Sequence, residues 1–218
     1  MKHLLGEKIK TKKNEYNDRV DQKDSKIKFI NKYVKNKRIL DIGCVQHNKE
    51  NYKSKFWLHK AIKEIASEVK GLDLYRDGVE YLNSKGFNVL HGDAQNFNHE
   101  SEYDVIVAGD IIEHLDNVQG FFKSCKRSLK RNGRLIITTP NPWYWKTIIL
   151  AIVKKGNVKV NEEHTHWLCP STLRQVAERN GFEVETLQYG SRYDKYISKV
   201  LPEGIANTSF YTALKIKE

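Results

Sequence analysis

The chain has 218 residues, 39% of them hydrophobic, and a formal net charge of +11. That length suits one α/β domain with additions and crowds out two full domains, while the hydrophobic share is enough for one sizeable core. The longest apolar run, Ile148 to Val153, falls far short of the about 20 residues a membrane-crossing helix needs; no apolar secretory signal opens the Lys-rich N-terminus, and a soluble, cytoplasmic protein is expected.

The charge is uneven. Residues 1–37 carry twelve Lys/Arg and five Asp/Glu, so +7 of the +11 lies there and +4 in the remainder. We read 1–37 as a basic leader, partly helical, ahead of a main domain over 38–218. Such a segment suits a solvated leader, or nucleic acid, an anionic lipid surface or a phosphorylated substrate as a partner, and no zinc-ligand pair or aromatic RNA-binding consensus accompanies it. Cys44, Cys125 and Cys169 are odd in number and far apart, giving neither a disulfide framework nor a CxxC metal pair.

In chain order, residues 1–25 read as loosely structured and 26–36 as a short helix carrying Ile27, Ile30 and Val34. Residues 38–42 predict a buried strand, and 56–67 a helix with Leu58, Ile62 and Ile65 on one face. A second strand over 69–74, a helix over 77–85 closed by Gly86 and a third strand over 88–90 follow. Residues 104–108 are too apolar for anything but a sheet interior. A helix over 118–129, stopped by Arg131-Asn132-Gly133, leads to a fifth strand over 134–138, cut off at Pro140 and Pro142. Residues 141–168 break the rhythm as an insertion that is first aromatic, then apolar, then His-rich. A helix over 171–180 takes Ser171 as its cap, and two strands close the chain at 182–188 and 209–216. Alternating strands and helices predict a doubly wound, mostly parallel seven-stranded α/β sheet in one domain.

In such a sheet, ligands bind beyond the carboxyl ends of the strands. Three acids stand at successive predicted ends: Asp41 in Asp41-Ile42-Gly43-Cys44, Asp73 in Gly71-Leu72-Asp73, and Asp93 in His91-Gly92-Asp93-Ala94. Exposed strand ends have no structural need of acids. A carboxylate there can accept both hydroxyls of a ribose or a hydrogen bond from an adenine amino group. Gly43 lets a ligand come close to the backbone.

The order of these motifs, followed by Tyr103-Asp104-Val105-Ile106-Val107, Glu113-His114-Leu115 and the run from Leu129 to Asn141, resembles the class I S-adenosylmethionine-dependent methyltransferases. The resemblance covers about 38–188 and is greatest to the small-molecule branch of ubiquinone and menaquinone biosynthesis and its glycan-associated relatives. It implies a Rossmann-like methyltransferase fold and S-adenosyl-L-methionine as cofactor, with S-adenosyl-L-homocysteine as product. It further implies that Asp41, Gly43 and Cys44 meet the methionine part, Asp73 the ribose, and Leu74, Asp93 and Ala94 the adenine. Gly109 and Asp110 would line the floor beneath the sulfonium, and Glu113-His114 would face the acceptor. The family continues its first loop as Gly-x-Gly after the cysteine, whereas this chain reads Val45-Gln46-His47. The surplus length before Asp73 is assigned to an enlarged loop over 46–55.

Methyl transfer is an in-line displacement on a carbon that the cofactor carries, so the protein's part is to orient the reactants and exclude water. A base is needed only for a protonated nucleophile; His114 is the first candidate and His164 the second. His164 and His166 in Glu162-Glu163-His164-Thr165-His166-Trp167 lack further ligands at metal spacing, and no metal is expected. The run from Trp143 to Val153 is read as a cap over a small-molecule or glycan acceptor methylated at oxygen. Packing on the core, a partner subunit or a membrane surface are open alternatives for it. An RNA methyltransferase using the basic leader, or a non-catalytic binding protein on the same fold, are alternatives for the whole.

Overall fold

A computed structural model describes residues 25–100, 102–158, 161–192 and 199–217. The expectation of a loose segment over the first 25 residues lies almost wholly outside them. Helix α1 (25–34) leads into β1 (Arg38–Ile42), α2 (Leu58–Lys63), β2 (Glu68–Asp73), α3 (Arg76–Ser84), β3 (Val89–His91) and β4 (Tyr103–Gly109). Next come α4 (Val118–Ser128), β5 (Leu129–Pro140), α5 (Trp145–Val153), α6 (Pro170–Arg179), β6 (Phe182–Arg192), α7 (Glu203–Ala206) and β7 (Asn207–Ile216). The seven strands form one sheet in the order β3-β2-β1-β4-β5-β7-β6, and β7 runs antiparallel to both of its neighbours. The expected doubly wound sheet is present.

Alternation along the central strands builds the two layers. Leu40, Ile42, Ile106, Ala108, Leu135 and Ile137 face one side, where Phe121 and Phe122 of α4 and Leu173 of α6 cover them. Ile39, Val105, Val107 and Ile136 face the other side, under Phe29, Ile30 and Val34 of α1 and Leu58 and Ile62 of α2. Helix α1 therefore belongs to the core rather than to a separate leader. A third cluster of Cys44, Val45, Trp57, Val79, Leu82 and Val89 packs α3 beside the turn after β1.

Three local readings are corrected. The helix expected over 56–67 is only Leu58–Lys63. Before it, a short 3-10 turn at Lys49–Lys53 is capped by the Asn48 side chain, and the Trp57 indole N–H is anchored on the Cys44 carbonyl at 2.6 Å, which leaves the chain no room for an earlier helical start. Helix α6 is capped at Cys169 rather than Ser171: Pro170 takes its first turn, where a missing N–H costs nothing, and the Thr172 hydroxyl accepts from the Cys169 N–H. Arg131-Asn132-Gly133 does not end α4, which stops at Ser128. Those residues form a bulge in β5, where Tyr103 pairs with Leu129 and Val105 already with Arg134. Local sequence could not register that bulge, because it exists only against β4.

Candidate active site

The turn after β1 is held by contacts that demand its residue types. Gly43 has φ +76, and a Cβ there would lie 2.1 Å from Ile111 Cδ1. Its N–H donates to the Leu72 carbonyl at 2.8 Å, tying the turn to the end of β2. Gln46 and His47 follow with φ 57 and 60. The loop thus keeps a left-handed path over two successive residues, of which His47 stands where the resembled family has its second glycine, at a cost of about 1–2 kcal/mol per residue for an L side chain.

Asp41 is only 2% exposed and points into the protein, where its Oδ2 meets His59 Nδ1 at 2.9 Å. Burial pushes its carboxyl above the ordinary value, and the hydrogen bond to His59 opposes the shift. Cys44 is buried too, its Sγ over Gly71, where a Cβ would approach to 2.5 Å. Neither residue lines a cavity of the site, so their side chains brace the turn from beneath.

Beyond the ends of β1, β2 and β3 lies a cavity of about 630 Å³ walled by Gly43, Asp73, Leu74, Asp93, Ala94 and Ile111, among others. Its size is within the range of small-molecule sites. Asp73 accepts the Val45 N–H on Oδ2 at 2.8 Å and the Tyr75 N–H on Oδ1 at 3.0 Å. A carboxylate has about four acceptor sites, so each oxygen retains one for a ligand. Asp93 is held by the Gln95 backbone N–H at 2.8 Å. Leu74 is 67% exposed on the cavity wall, where it presents an apolar surface.

A second cavity of about 290 Å³ adjoins the first and shares Gly43, Gln46, His47, Ile111 and His114 with it. Gly109 and Asp110 are in its wall, and so is Lys26 of α1, which forms an ion pair with Asp110 Oδ2. Desolvation alone would raise the Asp110 carboxyl, but Lys26 and the Thr138 hydroxyl, donating at 2.8 Å, hold it below its ordinary value. Lys26 escaped the sequence reading because it precedes every motif. Only the packing of α1 across the sheet brings it to the site.

Opposite Asp110 stand three more polar groups. Glu113 is 2% exposed, and its Oε2 accepts from the Thr139 hydroxyl at 3.0 Å. Burial, and then the nearby Asp110 charge, push its carboxyl up to about 7. His114 hydrogen-bonds the Glu163 carbonyl through Nδ1 at 3.1 Å, and its ring meets that of His164 edge-on at 4.7 Å between centroids. Burial, then the neighbouring His114, hold the His164 imidazole below its ordinary value. The structure therefore brings both expected bases together, on the loop after β4 and on the 161–168 segment. Among the described residues, Glu113, His114 and His164 offer ligand atoms within 4.8 Å of one another. The His164–His166 pairing considered from sequence does not form: His166 turns to the Thr165 hydroxyl at 3.0 Å.

His164 also lines a smaller cavity with Asn141, Tyr144, Thr147 and Trp167. Tyr144 and Thr147 of the insertion thus border this cavity. None of the residues of α5 is fully buried: Trp145, Ile148 and Ala151 are half-buried, and Ile149, Leu150, Ile152 and Val153 are exposed.

A methyltransferase-domain family model matches residues 15–187, most of the chain. The mitochondrial ubiquinone biosynthesis O-methyltransferase of Rattus norvegicus is 26% identical over 69% of this chain and 45% of its own length; that of Pelagibacter ubique is 26% identical over 76% of this chain and 69% of its own. The chain spans about half the length of the first of these relatives. In structure it is similar to an S-adenosylmethionine-dependent methyltransferase of Thermotoga maritima (TM-score 0.68, 16% identical, all of both chains). A second such enzyme, from Archaeoglobus fulgidus, has a TM-score of 0.64 and is 19% identical over 88% of this chain and 92% of that one. With a family model over β1 to β5 and both halves of the site, this chain belongs to the methyltransferase-domain family.

Proposed function

We propose that the protein is an S-adenosylmethionine-dependent methyltransferase acting at oxygen on a small-molecule acceptor. The observation that carries this is the pair of adjoining cavities at the strand ends. One is walled by Asp73, Asp93 and exposed Leu74, and the other holds an ion pair beside His114. The residues present fit the cofactor. Asp73 has acceptor capacity for ribose hydroxyls, and Leu74 offers an apolar face to adenine. Lys26 and Asp110 supply a cation and an anion for the carboxylate and ammonium of an amino-acid end. When bound, the cofactor supplies a methyl group on a positively charged sulfur.

The chain's own contribution is orientation and proton removal. A fixed geometry of this kind is worth about 7–11 kcal/mol in suitable reactions. A hydroxyl acceptor must lose its proton as its oxygen attacks, and an imidazole held neutral can take it. His164, held in its neutral form near neutral pH, suits that role, with His114 and Glu113 beside it to pass the proton on. The ubiquinone-pathway relatives support oxygen as the target atom.

Asp73→Ala is expected to weaken S-adenosylhomocysteine binding by at least about 100-fold in calorimetry, because it removes a charged acceptor and unties the Val45 and Tyr75 N–H groups. Unchanged affinity in a folded Asp73→Ala chain, or no binding to the parent at millimolar cofactor, would overturn the reading.

A further inference from the structure

Helix α5 holds one side of its apolar surface out to solvent. Ile149, Leu150, Ile152 and Val153 are 45–72% exposed, Trp143 just before the helix is 55% exposed, and no residue of the helix is buried. At these spacings the four aliphatic side chains share one face. A contiguous apolar patch of this kind on a folded chain marks a contact surface. The charge around it is one-sided. From Trp143 to Asn161, the segment that carries the helix, the sequence contains four Lys and no Asp or Glu, and Lys146, Lys154 and Lys155 bracket the helix.

That combination selects the occupant. A second copy of the chain would set this basic, acid-free stretch against itself, and like charges facing each other across an interface oppose association. An anionic bilayer offers both an apolar layer and phosphate charge. The nine-residue helix is about 13 Å long, less than half of a bilayer core of about 30 Å, so it can lie on a membrane and not cross it. We propose that α5 and Trp143 dock the protein on an anionic lipid surface, the aliphatic face at the acyl boundary and the lysines among the headgroups. From the other side of the same segment, Tyr144 and Thr147 wall the His164 cavity, so docking sets that cavity beside the membrane. The inference does not depend on methyl transfer.

The test is cosedimentation of the full chain with vesicles of phosphatidylcholine alone and of phosphatidylcholine with phosphatidylglycerol. Retention is expected on the anionic vesicles, falling as salt rises. Ile152→Asp with Val153→Asp should abolish it, and Lys154→Gln with Lys155→Gln should weaken it about 30-fold, the loss of two cations at an anionic surface. None of these residues lines a cavity of the site, so S-adenosylhomocysteine affinity should stay unchanged in both variants. No retention on anionic vesicles, or retention that neither double variant lowers, overturns the proposal. So does a concentration-dependent dimer in light scattering that the Asp variant dissociates, which would give the face to a second copy.

Discussion

Glu113 shows how one buried side chain links the fold to the chemistry. Its carboxyl loses water on folding, lies near Asp110, and is met by its own backbone N–H and by the Thr139 hydroxyl. In the unfolded chain it gives up its proton near 4.5, and in the folded chain near 7. Between those values the folded state binds more protons, so this group's contribution to stability is greatest on the acid side and declines as pH rises through the window. Glu113→Gln keeps the shape and the hydrogen bond without the charge. Denaturant midpoints should therefore be nearly equal for parent and variant at about pH 4, with the variant ahead by roughly 2–3 kcal/mol at about pH 8. The opposite slope would show that the carboxyl is stabilised as an anion. Asp73 and Asp93 were legible from sequence as acids at strand ends. Asp41 was legible as an acid but not as a partner of His59, because that contact crosses 18 positions and depends on where α2 begins. Glu113 stood in a quoted motif, yet its burial, and so its shifted carboxyl, belongs to the fold.

At the level of the element, the loop after β1 joins both cavities. Its backbone follows the left-handed path of a glycine-rich turn although Gln46 and His47 occupy it. Contacts hold it there: Asn51 Nδ2 donates to the Gln46 carbonyl at 3.0 Å, and Trp57 pins the Cys44 carbonyl. Gln46→Gly removes the steric penalty of an L side chain at φ 57 and should raise stability by up to about 1 kcal/mol, less the entropy glycine loses on folding. Thermal unfolding checks it, and a loss of stability would mean that the Gln46 side chain itself holds the turn. The extra length between Asp41 and Asp73 was readable as an enlarged loop. Its 3-10 turn and its anchoring on Trp57 were not, since they arise from packing against α3 and the turn after it, where Tyr52 lies against Tyr81 and Phe87, and Trp57 against Phe87.

For the molecule as a whole, the site draws on α1, β1, β2, β3, β4 and the 161–168 segment, so occupying it should stabilise the entire fold. Saturation with S-adenosylhomocysteine at about 100 times its dissociation constant corresponds to roughly 2.7 kcal/mol, a rise of about 5–11 °C in Tm for a domain of this size. No shift in differential scanning would argue against a preformed site. By itself the sequence determined the sheet, its parallel majority and the acids at the ends of β1, β2 and β3, because strand periodicity and strand-end chemistry are local properties carried by adjacent residues. Tertiary structure alone decided that α1 brings Lys26 to Asp110, that Asp41 and Cys44 turn inward, that β5 bulges against β4, and that α5 stays uncovered. Each of these depends on which distant segment occupies the space beside a residue, and no local pattern encodes that.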